Sequence, residues 1–244
     1  MKQFIFILII FVTIPSTRAQ QTYVPDDNFE QALIDLGYDD VLDDYVLTEN
    51  ISGVTSLDVS NKEISNLTGI EGFTALTALY CYSNSLTSLD VSSNTALTEL
   101  HCQGNQLAAL DMSSNSALTY LQCYANQLTT LDVSNNTVLD FLNCGNNQLT
   151  DLDVSNNTAL TDLRFFDNQL TSLDVTANTD LTGLSCEGND LTSLDVSSNT
   201  ALTFLNFEGN ELTSVDVSNN TALTSLNCEL NQLTSLNVSS NTAL

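Results

Sequence analysis

From Ala75 onward the chain repeats itself every 21 residues. ALTALYCYSNSLTSLDVSSNT is followed by ALTELHCQGNQLAALDMSSNS and ALTYLQCYANQLTTLDVSNNT, and copies begin at residues 75, 96, 117, 138, 159, 180, 201 and 222 with no insertion or deletion. So strict a period leaves few folds open, because each unit is too short to bury its own apolar face and must stack on its neighbours as a solenoid. A degenerate 22-residue copy over 54–75 precedes the eight regular ones, and the chain stops at Leu244, two residues into another copy. That open apolar coil end is an aggregation liability, which predicts that the sequence is a piece of a longer product.

Each copy holds two half-motifs, LxxLxCxxN and LxxLDVSxN, that alternate inward and outward residues as strands do. In the first copy Leu76, Leu79 and Cys81 point inward from one wall, and Leu86, Leu89 and Val91 from the other. The expected fold is a parallel-β solenoid with two extended walls and two corners per coil. Neighbouring coils would lie at the ~4.8 Å spacing of parallel strands. Asparagine recurs at both corners in every copy, from Asn84 to Asn231 and from Asn94 to Asn241. A buried amide at a turn can satisfy both a backbone donor and a backbone acceptor that have lost their ladder partners, so both columns are expected to be structural.

Upstream of the repeats, 25–37 (PDDNFEQALIDLG) reads as a short amphipathic helix. Asp27 with Glu30 forms a capping box, Gly37 supplies the stop, and Phe29, Leu33 and Leu36 share one face. Residues 20–53 are thus expected to cap the first coil of a solenoid spanning 54–244. At the N-terminus a Lys, an apolar run over 4–14 and small residues to Ala19 have the form of an export signal. The run is too short to span a bilayer, and no other segment reaches the ~20 apolar residues of a transmembrane helix. The chain is therefore expected to be secreted or displayed at the cell surface.

Charge narrows the partners. Thirty acidic side chains stand against four Lys plus Arg, a net charge of -26. Loss of 1–19 removes Lys2 and Arg18 and leaves 2 - 30 = -28. A surface of this sign repels nucleic acid and offers no polybasic membrane contact. With 42% hydrophobic residues, the chain still has ample material for an ordered core.

The six cysteines all fall on the seventh residue of a copy, at 81, 102, 123, 144, 186 and 228, and Phe165 and Phe207 fill the two remaining places. A column that accepts Phe is an inward apolar slot, so buried thiols are the leading reading, with disulfides between adjacent coils as the alternative. On the second wall Asp90, Asp111, Asp132, Asp153, Asp174, Asp195 and Asp216 form one outward column. Carboxylates ~4.8 Å apart repel by roughly 0.9 kcal/mol per pair even at the dielectric of water. Relief must come from neighbouring hydroxyl and backbone donors or from bound calcium. No other cofactor is expected.

The first wall differs from copy to copy. Its three outward columns begin at Ala78, Tyr80 and Tyr82 and carry rings, amides and acids in changing order. A sheet needs no such variety to fold, and this mixture is that of a recognition surface. The candidate ligand-binding residues are Tyr80, Tyr82, His101, Tyr120, Tyr124, Phe141, Arg164, Phe166, Glu187, Phe204, Glu208 and Glu229, with the aromatics forming one continuous field on the N-terminal half. A catalytic reading has little support, since His101 is the only histidine and no nucleophile motif or paired carboxylates stand out.

The stacked LxxLxCxxNxLxxL pattern resembles the leucine-rich repeat family. Residues 63–77, EISNLTGIEGFTALT, resemble the repeat of internalins and related bacterial surface proteins, and the later LTSLDVSSNTALT copies resemble a shorter variant found in secreted bacterial proteins. The resemblance covers 54–244. It implies a slender right-handed solenoid with a helical N-terminal cap, the LxxLxC strands forming the ligand-facing sheet, and no shared catalytic residues. It also implies a protein ligand, with a glycan as the alternative. A rigid spacer within a larger surface protein is the competing role.

Overall fold

The computed structural model describes residues 19–244. The export signal expected over 1–19 lies almost wholly outside them. Eleven short strands and two helices follow one another: β1 (Gln21–Tyr23), α1 (Asp27–Asp35), β2 (Tyr45–Leu47), α2 (Thr48–Ile51), β3 (Ser56–Asp58), β4 (Ala78–Tyr80), β5 (Glu99–His101), β6 (Tyr120–Gln122), β7 (Phe141–Asn143), β8 (Asp162–Arg164), β9 (Gly183–Ser185), β10 (Phe204–Asn206) and β11 (Ser225–Asn227). Strands β3 to β11 form one parallel sheet in sequence order, one strand per coil. The register advances 22 residues from β3 to β4, where Leu57 pairs with Leu79, and 21 thereafter, as from Leu79 to Leu100. The extra residue lies before the 3-10 turn Ile70–Gly72. There Gly69 has φ +109, and a Cβ on it would stand 2.8 Å from Val24 Cγ2, so only glycine lets the cap pass.

The two walls differ. The LxxLxC wall is the sheet. The LxxLDV wall keeps the in-out alternation, with Leu86, Leu89 and Val91 buried and Asp90 exposed, yet forms no strand. Its coils share a main-chain bond at the entry, such as Gln106 N–H to Leu86 O at 2.8 Å, and beyond it the turn bonds stay within one coil, as from Asn94 N–H to Val91 O. Between the walls runs a single core of inward Leu, Val, Cys and Phe columns.

The Asn columns act as ladders in different ways. At the first corner Asn105 donates to Cys81 O and Cys102 O and accepts from Leu86 N–H, each at 3.0 Å, and every copy repeats the arrangement. At the second corner Asn115 donates to Val91 O and Asn94 O, but its Oδ1, like that of all eight members of this column, is buried with no hydrogen-bond partner. The expected donor-and-acceptor role therefore holds fully at the first corner and only on the donor side at the second. A third ladder was not anticipated. Thr98, Thr119, Thr182, Thr203 and Thr224 each donate a hydroxyl to the carbonyl of the residue one coil earlier.

The cap corrects one detail. Asp26, not Asp27, is the N-cap of α1: its Oδ1 accepts from the N–H of Asn28 and Phe29, while Oδ2 accepts from Ser65 N–H, Ser65 Oγ–H and Asn66 N–H. One carboxylate thus starts the helix and ties it to the first coil. Glu30 does not reach back to close a capping box. It is fully buried and accepts from Asp43 N–H and Tyr45 N–H, holding the loop that leads into β2. Phe29 and Leu33 pack against the core as expected, whereas Leu36 ends the helix and is exposed. Gly37 follows with φ +80, the left-handed stop.

Candidate ligand-binding face

Strands of three residues, each paired in register with the next, hold the outward side chains of the sheet in rows along the solenoid axis. Four of the predicted residues form one stack there. The ring centroids of Tyr80 and His101 lie 4.7 Å apart, those of His101 and Tyr120 5.0 Å, and those of Tyr120 and Phe141 4.3 Å at an interplanar angle of 7°. The guanidinium of Arg164 covers the far side of Phe141 at 5.4 Å from its centroid. Planar groups thus continue across five strands, β4 to β8, at close to the strand spacing.

The rungs that carry polar atoms are pinned by polar bonds. His101 Nε2 lies 2.6 Å from Glu99 Oε1, and Gln122 Nε2 donates to the Tyr120 hydroxyl at 2.6 Å. Arg164 donates from Nε and an Nη to the two oxygens of Asp162, each at 2.8 Å, a bidentate pair in which both planes align. Hydrogen bonding to Asp162 outweighs burial and raises the Arg164 pKa further. Burial, then the Glu99 carboxylate accepting from its hydroxyl, push the Tyr80 phenol up.

The remaining predicted residues lie around this stack. Tyr82, Tyr124 and Phe166 occupy the third outward column, just past the strands, and take part in no ring pair among the described residues. The expected continuous aromatic field is therefore divided into a stacked row and a separate column, because the third column sits where the backbone turns away. Phe166 instead lies across the strand end of the preceding coil: a Cβ on Gly145 would meet its ring at 2.6 Å. Glu187 accepts from Ser185 Oγ–H at 2.5 Å, Glu208 accepts from Asn227 Nδ2 at 2.7 Å, and Glu229 is exposed. Phe204 stands 41% exposed on β10. Between it and Arg164 is a depression of about 340 Å3 lined by Asp162, Arg164, Thr182, Gly183, Ser185, Thr203 and Phe204. Sequence reasoning singled out Arg164 and Phe204 but not the gap between them. The signal that could have found it is that β9 alone carries small residues, Gly183 and Ser185, at both outward strand positions.

On the opposite wall each of Asp90, Asp111, Asp132, Asp153, Asp174, Asp195 and Asp216 accepts at 2.9 Å from the N–H two residues on. For Asp90 the Ser92 hydroxyl and then its N–H pull the carboxyl below its ordinary range, and repulsion from Asp111 is the smallest contribution. The other six are shifted the same way. Hydroxyl and amide donors thus supply the relief that the spacing demands. Among the described residues no group of three or more His, Cys, Asp or Glu side chains gathers as metal ligands would. The six cysteines are free thiols, with five buried and Cys228 partly so. Burial pushes Cys102 and Cys144 up to about 12.

No family model matches the chain. Internalin J of Listeria monocytogenes is 44% identical over 78 residues, 32% of this chain and 8% of that protein. The solved functional domain of the same internalin, which includes a cysteine ladder, superposes on 93% of this chain at 40% identity with a TM-score of 0.76. The chain is an internalin-like leucine-rich repeat solenoid. Internalin C2 from the same species also superposes, over 91% of this chain and all of its own, at 22% identity and a TM-score of 0.76, a likeness of fold. The internalin-like chain spans about half of the solved internalin J domain, 56%. Among the described residues no helix is long and apolar enough to cross a membrane.

Proposed function

We propose that this internalin-like chain is an exported, noncatalytic recognition module that binds a protein ligand through the outward face of strands β4 to β11. The carrying observation is the difference between two faces built by the same coils. The second wall repeats a single capped Asp from Asp90 to Asp216, whereas the sheet presents an ordered row of unlike rings, Tyr80, His101, Tyr120 and Phe141, followed by Arg164 and an acidic end at Glu187, Glu208 and Glu229.

The stack also favours protein over glycan. A sugar platform needs a ring face turned to solvent, and here the faces of His101, Tyr120 and Phe141 are covered by their neighbours, leaving edges and polar tips outward. Edges, amides and acids suit a polypeptide surface. The test is capture of a protein from surface extracts by immobilised residues 20–244, set beside a glycan array. Alanine at Tyr82, Tyr124 and Phe166 together is expected to abolish capture with little change in melting temperature, because these rings are outside the stack. Retained capture by the triple variant, or binding confined to the glycan array, would overturn the assignment.

A further inference from the structure

The row of planar groups on the sheet is interrupted once. Tyr80, His101, Tyr120, Phe141 and the Arg164 guanidinium occupy β4 to β8, and the ring of Phe204 stands on β10. Between them β9 offers Gly183, with no side chain, and Ser185, whose hydroxyl is turned to Glu187. The result is the depression described above, open to solvent and walled along the axis by Arg164 and Phe204. Strands β8 and β10 are two spacings apart, about 9.6 Å. A planar group can stack on a guanidinium or on a ring, and the slot is lined by one of each above a floor in which Gly183 and Ser185 are buried.

We propose that this slot receives the aromatic side chain of a protein partner, a Tyr, Phe or Trp ring that stacks between Arg164 and Phe204 as the absent rung. The proposal rests on the reading of the sheet as a protein-binding face. The Arg164 wall is preorganised: Asp162 holds the guanidinium flat, and Phe141 backs it from the other side. A guanidinium so held stacks on a ring at little entropic cost. Charge selects the source of the ring. Asp162 lines the slot, Glu187 is bonded to its floor and the chain as a whole carries -26, so a phosphate-bearing nucleobase is repelled while an uncharged side chain is not. Aromatic side chains are also the anchors that protein interfaces place in such depressions.

The chain contains no Trp, so indole emission reports a Trp-bearing probe without background. Residues 20–244 titrated with N-acetyltryptophanamide are expected to show saturable binding that N-acetylleucinamide does not displace. Phe204→Ala removes one wall at an exposed position and is expected to weaken the probe roughly fivefold or more, as loss of a ring contact does. Gly183→Phe fills the slot with the chain's own ring and is expected to abolish probe binding. A Cβ there lies 3.1 Å from Asp162 Oδ2, so its melting curve is read alongside. Unsaturable binding, equal displacement by the leucine amide, unchanged affinity in Phe204→Ala, or tighter binding of adenosine than of the indole would each overturn the proposal. The probe assay needs no partner, so failure of the slot leaves the capture result untouched. Conversely, loss of capture in the Tyr82, Tyr124 and Phe166 variant with probe binding intact separates the two readings.

Discussion

At the scale of single residues, the corner that follows each of strands β4 to β11 imposes one backbone conformation on six kinds of residue. Residues 83, 104, 125, 146, 167, 188, 209 and 230 all have positive φ, between 50° and 66°, although only three are glycine. Asn146 and Asp167 suit this region, but Leu230 does not, and it is also 75% exposed. Leu230→Gly is expected to stabilise the chain by about 1 kcal/mol, read from chemical denaturation. Asp26 works in the other direction. Its carboxylate serves five donors, and Asp26→Ala is expected to cost ~2 kcal/mol or more, with loss of the α1 signal before the solenoid melts. The thiols give a third check: in the native state Cys228 should react first and the other five slowly, and all six should titrate in denaturant without reductant. Fewer than six would restore the disulfide alternative.

At the scale of elements, the Asp column behaves as a set of capped turns. All seven carboxylates have folded pKa values below the usual 3.8, so the stability they contribute is present above that value and lost as pH falls through the lower folded values. Asp26 adds to this with the same sign: burial raises its pKa, but the Ser65 hydroxyl and the surrounding N–H donors more than reverse that. The melting temperature is expected to stay level down to about pH 4 and then to fall, a profile checked by thermal melts across the acid range. The two walls were legible to different degrees. Leu79, Cys81, Leu89 and Val91 sit inward as their spacing requires, because side-chain alternation is a local property of extended chain. That only one wall becomes a sheet was not legible, since LxxLxC and LxxLDV alternate alike. The difference lies in where the backbone N–H groups go, and at Ser92 the N–H turns to Asp90 rather than to the next coil.

At the scale of the whole molecule, nearest-neighbour stacking makes coils nearly independent units. Deletion of residues 180–200, one complete repeat, is therefore expected to leave a cooperatively folded solenoid, checked by circular dichroism and a single denaturation transition. The deletion would also bring Phe204 next to Arg164 and remove the slot, so the indole probe should no longer bind. Both predictions follow from the same register, in which each strand pairs with residues 21 positions away.

The period alone determined the solenoid, the inward columns and the two Asn corners, because a 21-residue unit repeated without a gap has only one way to bury its leucines. It also showed that the outward residues of the LxxLxC wall change from copy to copy while those of the LxxLDV wall do not. Which of those residues touch was decided by the tertiary structure. Tyr80 and His101 share a column, but the stack then passes to Tyr120 and Phe141 in another, and Tyr82, Tyr124 and Phe166 stand apart from it. Ring stacking, the cover of Arg164 over Phe141 and the depression beside Gly183 depend on neighbours one coil away, and that information lies between copies rather than within any one of them.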